Sequence, residues 1–259
     1  IDTSKTNRTL KNLERFYFKN GWFNRNISFQ IDSIGKKRAA ITYHVERNSP
    51  YIIDSISTKI ASKLIDSLYQ INQLNSLLKT GDQFKDINFG NERDRLTEAF
   101  RNSGVFHFSQ DYISFENDTL LNGNSVNTEI QIENRQIRNE DSIARVPFKI
   151  YTIKEVNVIT DDHSKNQGNV LKDSTSYNNK NIYSYDGIKY RPKSIVDAIF
   201  INKDSFFSDI DRKRTYRHLN DLQVFKYPSI NYTVNESDST LTTNIKLSPR
   251  KKYGLGFDI

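Results

Sequence analysis

RNSGVFHFSQDYISF, residues 101–115, sets a glycine between a helix-like segment and a strand-like one. A near copy, KNGWFNRNISF, occupies 19–29, and DLQVFKYPSINY at 221–232 is a looser third version. Aligned on the phenylalanine after the glycine, LERFYFKNGWF (13–23), LTEAFRNSGVF (96–106) and TYRHLNDLQVF (215–225) keep large apolar residues at fixed offsets. These are Tyr17, Phe100 and Leu219, then Trp22-Phe23, Val105-Phe106 and Val224-Phe225. Recurrence of this kind marks a repeated structural unit.

The segment after each anchor also recurs, as an alternating strand, a polar turn and a second alternating strand. In the first copy Ile27, Phe29 and Ile31 share a face with Ile41, Tyr43 and Val45 across the turn at 32–37. In the second, Ile113 and Phe115 answer Ile130 and Ile132 across DTLLNGN. In the third, Ile230, Tyr232 and Val234 answer Leu241, Thr243, Ile245 and Leu247. Period-two spacing buries one face of each hairpin and wets the other. His44 falls on a wet face.

Helices precede the anchors. Ile60, Leu64, Leu68 and Ile71, widened by Ala61 and Ile65, predict one helical stripe, and Leu96 and Phe100 a second that stops at Gly104. Pro192 suits a first helical position, with Ile195, Val196, Ile199 and Phe200 behind it, and a further helix is expected from about Asp209 to Leu222. One more strand leads each helix pair, PYIIDSIS (50–57) and FKIYTIKEVNVIT (148–160). The unit is strand, helix, helix, strand, strand: an α+β module with a three-stranded mixed sheet and two helices on one face. The expected boundaries are 1–49 for the rear part of one module, 50–147 for a complete one, and 148–249 for a third. Residues 47–50 and 143–147 are expected to run straight from a hairpin into the next first strand. The aperiodic, Asn- and Ser-rich stretch 161–190 is expected to be a partly mobile surface insertion.

Only 36% of the residues are hydrophobic, against roughly 45–50% in typical domains, so small cores stiffened by the 16 Phe and 14 Tyr are expected. Lys and Arg (38) exceed Asp and Glu (31), a mildly basic balance that weakly favours acidic partners. The chain has no cysteine, hence neither a disulfide framework nor a thiolate metal site, and no stretch approaches the length of a membrane helix. It starts at Ile1 and has no methionine, as expected of a trimmed piece of a longer protein. In KKYGLGFDI (251–259), Tyr253, Leu255, Phe257 and Ile259 alternate with small or polar residues, which suits an outer-membrane barrel strand and equally any half-buried strand.

No nucleophile motif, phosphate-binding loop or metal-ligand spacing is present, so no catalytic residue, cofactor or metal is expected. Asp161-Asp162-His163 is the weak cation candidate and reads better as a solvated loop. Glu92, Asp94 and Glu98, interleaved with Arg93, Arg95 and Arg101, read as an ion-paired surface face. Arg212, Lys213, Arg214 and Arg217 form the sharpest basic patch, suited to a solvated helix face or to acidic lipid headgroups. Gly21 and Gly104 read as left-handed helix ends, with Phe23, Phe106 and Phe225 as structural anchors. Gln223 stands where the third glycine would be, and predicts a different helix end there.

Tandem modules of this order, each with a helix ending in glycine, one residue and phenylalanine, resemble the POTRA domains that precede the β-barrel in the Omp85 family of outer-membrane assembly and translocation proteins. TGDQFKDINFGNERDRLTEAFRNSGVF (80–106) resembles the middle of such a module, and 191–226 the module nearest the barrel. RKKYGLGFD then falls where the first barrel strand would begin. KNGWFNRNISF, YHVERNSPYIIDSI and NERDRLTEAFRNSGVFHF are most similar to TamA-type members, including the lipoprotein variants of Bacteroidota, with BamA-like members as the neighbouring branch. Gln223 and the stretch 161–190 depart from the family pattern.

The resemblance implies a non-enzymatic periplasmic array that receives nascent outer-membrane proteins or a partner subunit, partly by β-augmentation, ahead of a barrel in the outer membrane. It also implies that a module's second strand is the receptive edge: Tyr112, Ile113, Ser114 and Phe115, with Tyr112 and Ser114 facing out. The alternatives are a basic α+β nucleic-acid-binding protein and the POTRA region of a two-partner secretion pore. Binding of nucleic acid is not expected, because the aromatics fall on faces expected to be buried, leaving no stacking platform.

Overall fold

A computed structural model describes residues 3–35, 38–119, 123–139, 142–162 and 170–250. The chain divides into two compact units, one of residues 1–97 and 109–147, the other of 98–108 and 148–259. The division falls inside a helix, so the units do not coincide with the sequence repeats.

The first unit opens with α1 (Thr3–Lys19) and the antiparallel pair β1 (Arg25–Gly35) and β2 (Arg38–Arg47). Ile27 pairs with Val45, Phe29 with Tyr43 and Ile31 with Ile41, so the alternating residues share one face as expected. Then come β3 (Ile52–Ile60), α2 (Lys63–Asn72), α3 (Asp86–Asn102), β4 (Ile113–Asp118) and β5 (Ser125–Ile132). Strand β5 lies centrally, parallel to β3 and antiparallel to β4, which makes the mixed three-stranded sheet. Its residues alternate between buried and half-buried along the whole strand, so one face of the sheet is covered.

Three expectations shift here. Ile60 ends β3 rather than starting a helix, and the buried stripe of α2 is Ile65 and Tyr69, while Ile71 is exposed. A run of isoleucines two to four apart fits both a strand end and a helix start, and the chain switches at Ala61-Ser62. Residues 143–147 are not a plain connection, because β6 (Arg135–Asn139) and β7 (Ser142–Val146) form a separate hairpin before the next module. Tyr112 closes a short 3-10 turn, and the strand expected at 112–115 runs over Ile113–Asp118.

The second unit contains β8 (Thr152–Ile159), β9 (Asp173–Tyr177), β10 (Lys180–Ser184), α4 (Pro192–Val196), α5 (Asp209–Asp221), β11 (Phe225–Asn235) and β12 (Thr240–Pro249). Pro192 occupies the first turn of α4, as its missing N–H predicts. The sheet has five strands in the order β11-β12-β8-β10-β9. Strands β8, β12 and β11 repeat the arrangement of β3, β5 and β4, with Ile230 opposite Ile245, Tyr232 opposite Thr243 and Val234 opposite Leu241.

The stretch expected to be an aperiodic surface insertion supplies the two further strands. Strand β10 pairs parallel to β8 through Asn181, Ile182 and Tyr183, and β9 closes a hairpin on it. Ile182 is fully buried in the main cluster with Val156, Val158 and Leu241. Lys180 is buried too, its Nζ donating to Asn202 Oδ1 at 2.8 Å, and burial pushes its pKa down. Such a polar strand carries too little alternation to be read from sequence.

Candidate functional site

Strand β4 is a sheet edge, because β5 pairs with it on one side and the sheet order ends there. The backbone groups that it offers are set by register. The N–H of Glu133 donates to the Tyr112 carbonyl at 3.0 Å, and Ser114 lies opposite Gln131. Alternation in an antiparallel ladder then turns the peptide groups of Ser114 and Glu116 towards β5 and those of Ile113, Phe115 and Asn117 outward. Arg93 Nε donates to the Ile113 carbonyl at 3.1 Å, which confirms the outward direction and occupies the first position of the row. The row left outward is that of Phe115 and Asn117. The side chain of Ile113 is buried, Phe115 packs edge-on against Phe89 at 5.2 Å, and Ser114 is exposed.

The corresponding edge of the second unit is different. Strand β11 carries Pro228 and a register shift between Lys226 and Ser229, and Tyr227 there has positive φ and is 84% exposed. Bulge and proline are devices that blunt an edge against strand addition. On the opposite side, β8 is covered by β10, whereas β3 ends its sheet.

The hairpin of β9 and β10 is held by Asp161. Its carboxylate accepts from Ser184 Oγ at 2.7 Å and from the N–H groups of Tyr185 at 3.0 Å and Asp186 at 2.9 Å. Burial alone would raise its pKa, but the Ser184 hydroxyl, these N–H groups and Lys189 together hold it below the usual range. The acidic run at 161–163 is therefore a structural anchor at its first residue, and His163 lies outside the described residues. Among the described residues no group of three or more His, Cys, Asp and Glu is arranged to hold a metal ion.

Glu92 is not on the surface face expected for it. It lies on the buried stripe of α3 between Phe89 and Leu96 and is 0% exposed. Its carboxylate accepts from the N–H of Leu77 at 2.9 Å and from Ser76 Oγ at 3.0 Å, and is gripped by Arg95 at 2.7 and 2.8 Å. Burial pushes its pKa up, and these four donors more than reverse that, so the group stays ionised below the usual range. Its spacing from Phe89 and Leu96 was the available signal: it occupies a core position of the helix.

Three of the four basic residues of the α5 patch are engaged by neighbours. Arg212 pairs with Asp209 at 3.1 Å, Lys213 pairs with Glu98 at 3.3 Å, and Arg214 lies over the ring of Phe200. Arg217 is exposed. Phe16, Phe18 and Phe206 are at least half exposed, so the aromatics do not all fall on buried faces.

Gly21 and Gly104 are left-handed helix ends with φ of 84° and 94°. Gln223 is left-handed as well, with φ of 57°, so the third helix also ends on a residue of positive φ although no glycine stands there. Phe225 is fully buried and opens β11, while Phe23 and Phe106 remain partly exposed at their joints.

No protein-family model matches the sequence and no curated protein is similar to it. Among solved structures, the chain is similar to BamA POTRA3-5 of Haemophilus influenzae, with 9% identity, a TM-score of 0.45, and 94% of this chain and 80% of that one covered. It is also similar to BamA of Haemophilus ducreyi lacking POTRA domains 1-3, with 9% identity and a TM-score of 0.49 over 77% of this chain and 30% of that chain. The N-terminal domain of Omp85 from the thermophilic cyanobacterium Thermosynechococcus elongatus has 10% identity and a TM-score of 0.33, over 95% of this chain and 84% of that one.

Proposed function

We propose that the chain is a periplasmic POTRA region of an Omp85-type outer-membrane protein, with repeats at 50–147 and 148–249 and part of another at 1–49. It receives extended segments of outer-membrane clients or of a partner subunit by β-augmentation. The observation that carries this reading is β4, a strand that among the described residues is paired on one side only, and whose Phe115 and Asn117 peptide groups point outward. Added strands bond through the backbone, so one edge serves many sequences. The strand order of each repeat supports the same reading.

The edge reading is tested with Asn117→Pro, which removes an outward N–H and leaves the backbone ladder with β5 in place, while losing the bond that the Asn117 side chain accepts from Thr128 Oγ1 at 2.8 Å. The probe is a synthetic peptide of one barrel-type strand with alternating apolar residues. Its affinity is expected to fall at least about five-fold while the circular dichroism stays unchanged. Equal affinity in a folded variant overturns the role of β4. Ser114→Pro is the contrasting case: its N–H faces β5, so that variant loses sheet stability instead.

A further inference from the structure

The two helix ends marked by glycine share a full set of contacts that helix capping does not explain. In the first unit the N–H of Tyr51 donates to the Gly21 carbonyl at 2.8 Å, and the N–H of Phe84 donates to the Tyr51 carbonyl at 2.9 Å. In the second unit Tyr151 donates to the Gly104 carbonyl at 2.9 Å, and Phe207 to the Tyr151 carbonyl at 2.9 Å. Phe23 packs on the rings of Tyr51 and Phe84 at 4.7 and 5.1 Å, as Phe106 does on Tyr151 and Phe207 at 6.0 and 4.9 Å. An ion pair completes each set, Lys19 with Asp86 at 2.8 Å and Arg101 with Asp209 at 3.0 Å. The docked element therefore has one description: a strand start Tyr-x-Ile (51–53, 151–153) beside a loop Phe-x-Asp (84–86, 207–209).

Left-handed backbone accounts for the glycines only in part: Gln223 tolerates a φ of 57°, whereas a side chain is strained at the 84° and 94° of Gly21 and Gly104. Space adds a second reason. A Cβ on Gly21 would stand 2.7 Å from the carbonyl oxygen of Phe84, and one on Gly104 would stand 2.7 Å from Ile150 Cγ2. Both intruding atoms belong to the docked element or its approach. At the third helix end, Gln223 brings the side chain that the other two exclude, and Arg250 binds back over it. The Arg250 guanidinium donates to Gln223 Oε1 at 3.0 Å and to the Phe225 carbonyl at 3.0 Å.

We propose that this single position decides whether a helix end is a docking surface. Glycine opens the ends of α1 and α3 to a Tyr-x-Ile/Phe-x-Asp element, and glutamine, tied down by Arg250, closes the end of α5 to one. The inference is independent of client binding.

The test is a double-mutant cycle read by amide exchange of Tyr151, the donor to Gly104. Gly104→Ala is expected to speed that exchange at least about ten-fold. Adding Ile150→Ala removes the colliding methyl and is expected to bring the rate back to within a few-fold of Ile150→Ala alone. Gln223→Gly is expected to leave the Tyr51 and Tyr151 rates unchanged. If Gly104→Ala does not fold, the double variant must fold. A double variant as damaged as the single one, or an undisturbed Tyr151 amide in Gly104→Ala, means that only backbone strain matters and overturns the proposal.

Discussion

Arg101 and Asp209, 108 residues apart in the chain, meet in a two-point pair: Arg101 Nε to Asp209 Oδ2 at 3.0 Å and Nη2 to Oδ1 at 3.1 Å. The remaining nitrogen, Nη1, donates to the carbonyls of Phe106 at 2.8 Å and Phe108 at 2.9 Å. One guanidinium thus organises the loop after α3 and fixes the first turn of α5. Arg101→Met is expected to cost about 3 kcal/mol in chemical denaturation, since both groups are largely buried and, among the described residues, Asp209 is left with Arg212. Arg101→Lys is expected to recover little of that, because an ammonium cannot make the parallel pair and reach both carbonyls.

Asp209 and Glu92 contribute to acid sensitivity, as does Asp161. Burial raises the pKa of Asp209, but the guanidinia of Arg101 and Arg212 outweigh it and hold the group below its ordinary value, as Glu92 is held by Arg95, Leu77 and Ser76. With the folded pKa below the unfolded one, the stabilisation is complete above the ordinary carboxylate value and drains away as pH falls through the lowered one. Denaturation midpoints across acid pH are expected to drop, and Glu92→Gln is expected to flatten that drop while lowering stability at neutral pH.

Tyr232 offers a gain. Among the described residues its hydroxyl is buried without a hydrogen-bond partner, as is Thr243 Oγ1 on the residue opposite it, and burial pushes the phenol pKa up. Removing an unsatisfied buried hydroxyl while keeping the ring is expected to be neutral or to stabilise by about 1 kcal/mol. Thermal unfolding of Tyr232→Phe checks this; a loss of more than that would mean the hydroxyl has a partner in solution.

Asp161→Asn exchanges a carboxylate that accepts from Ser184, Tyr185 and Asp186 for an amide with one acceptor oxygen. The turn at 184–186 is expected to loosen, at a cost of about 1–2 kcal/mol. Limited proteolysis should then cut between residues 170 and 190 sooner than in the parent chain. Equal protection of that hairpin would show that Ile182 and Lys180 anchor it without the carboxylate.

The repeats were legible because period-two alternation and a glycine after a helical stripe are local signals. Ile230, Tyr232 and Val234 took the faces that their spacing implied, and Leu96 and Phe100 the core side of α3. Ile60 was misassigned because short isoleucine runs satisfy both periods, and Ile71 lies in α2 as expected but on its exposed side. Glu92 was misread because an acidic residue on a helix is usually solvated, and its donors at 76, 77 and 95 are set by folding. The strand at Ile113 does lie at a sheet edge, but which of its peptide groups point outward depends on its register with β5.

By itself the sequence determined the repeated order of strand, helix, helix, strand, strand and the anchors after Gly21 and Gly104, because propensity and periodicity act over a few residues. Only the tertiary structure decided that β10 covers β8, that Glu92 is sealed inside, and that Gln223 shares the glycines' backbone without their contacts. Each of those depends on partners distant in the chain, whose approach distances no local pattern encodes.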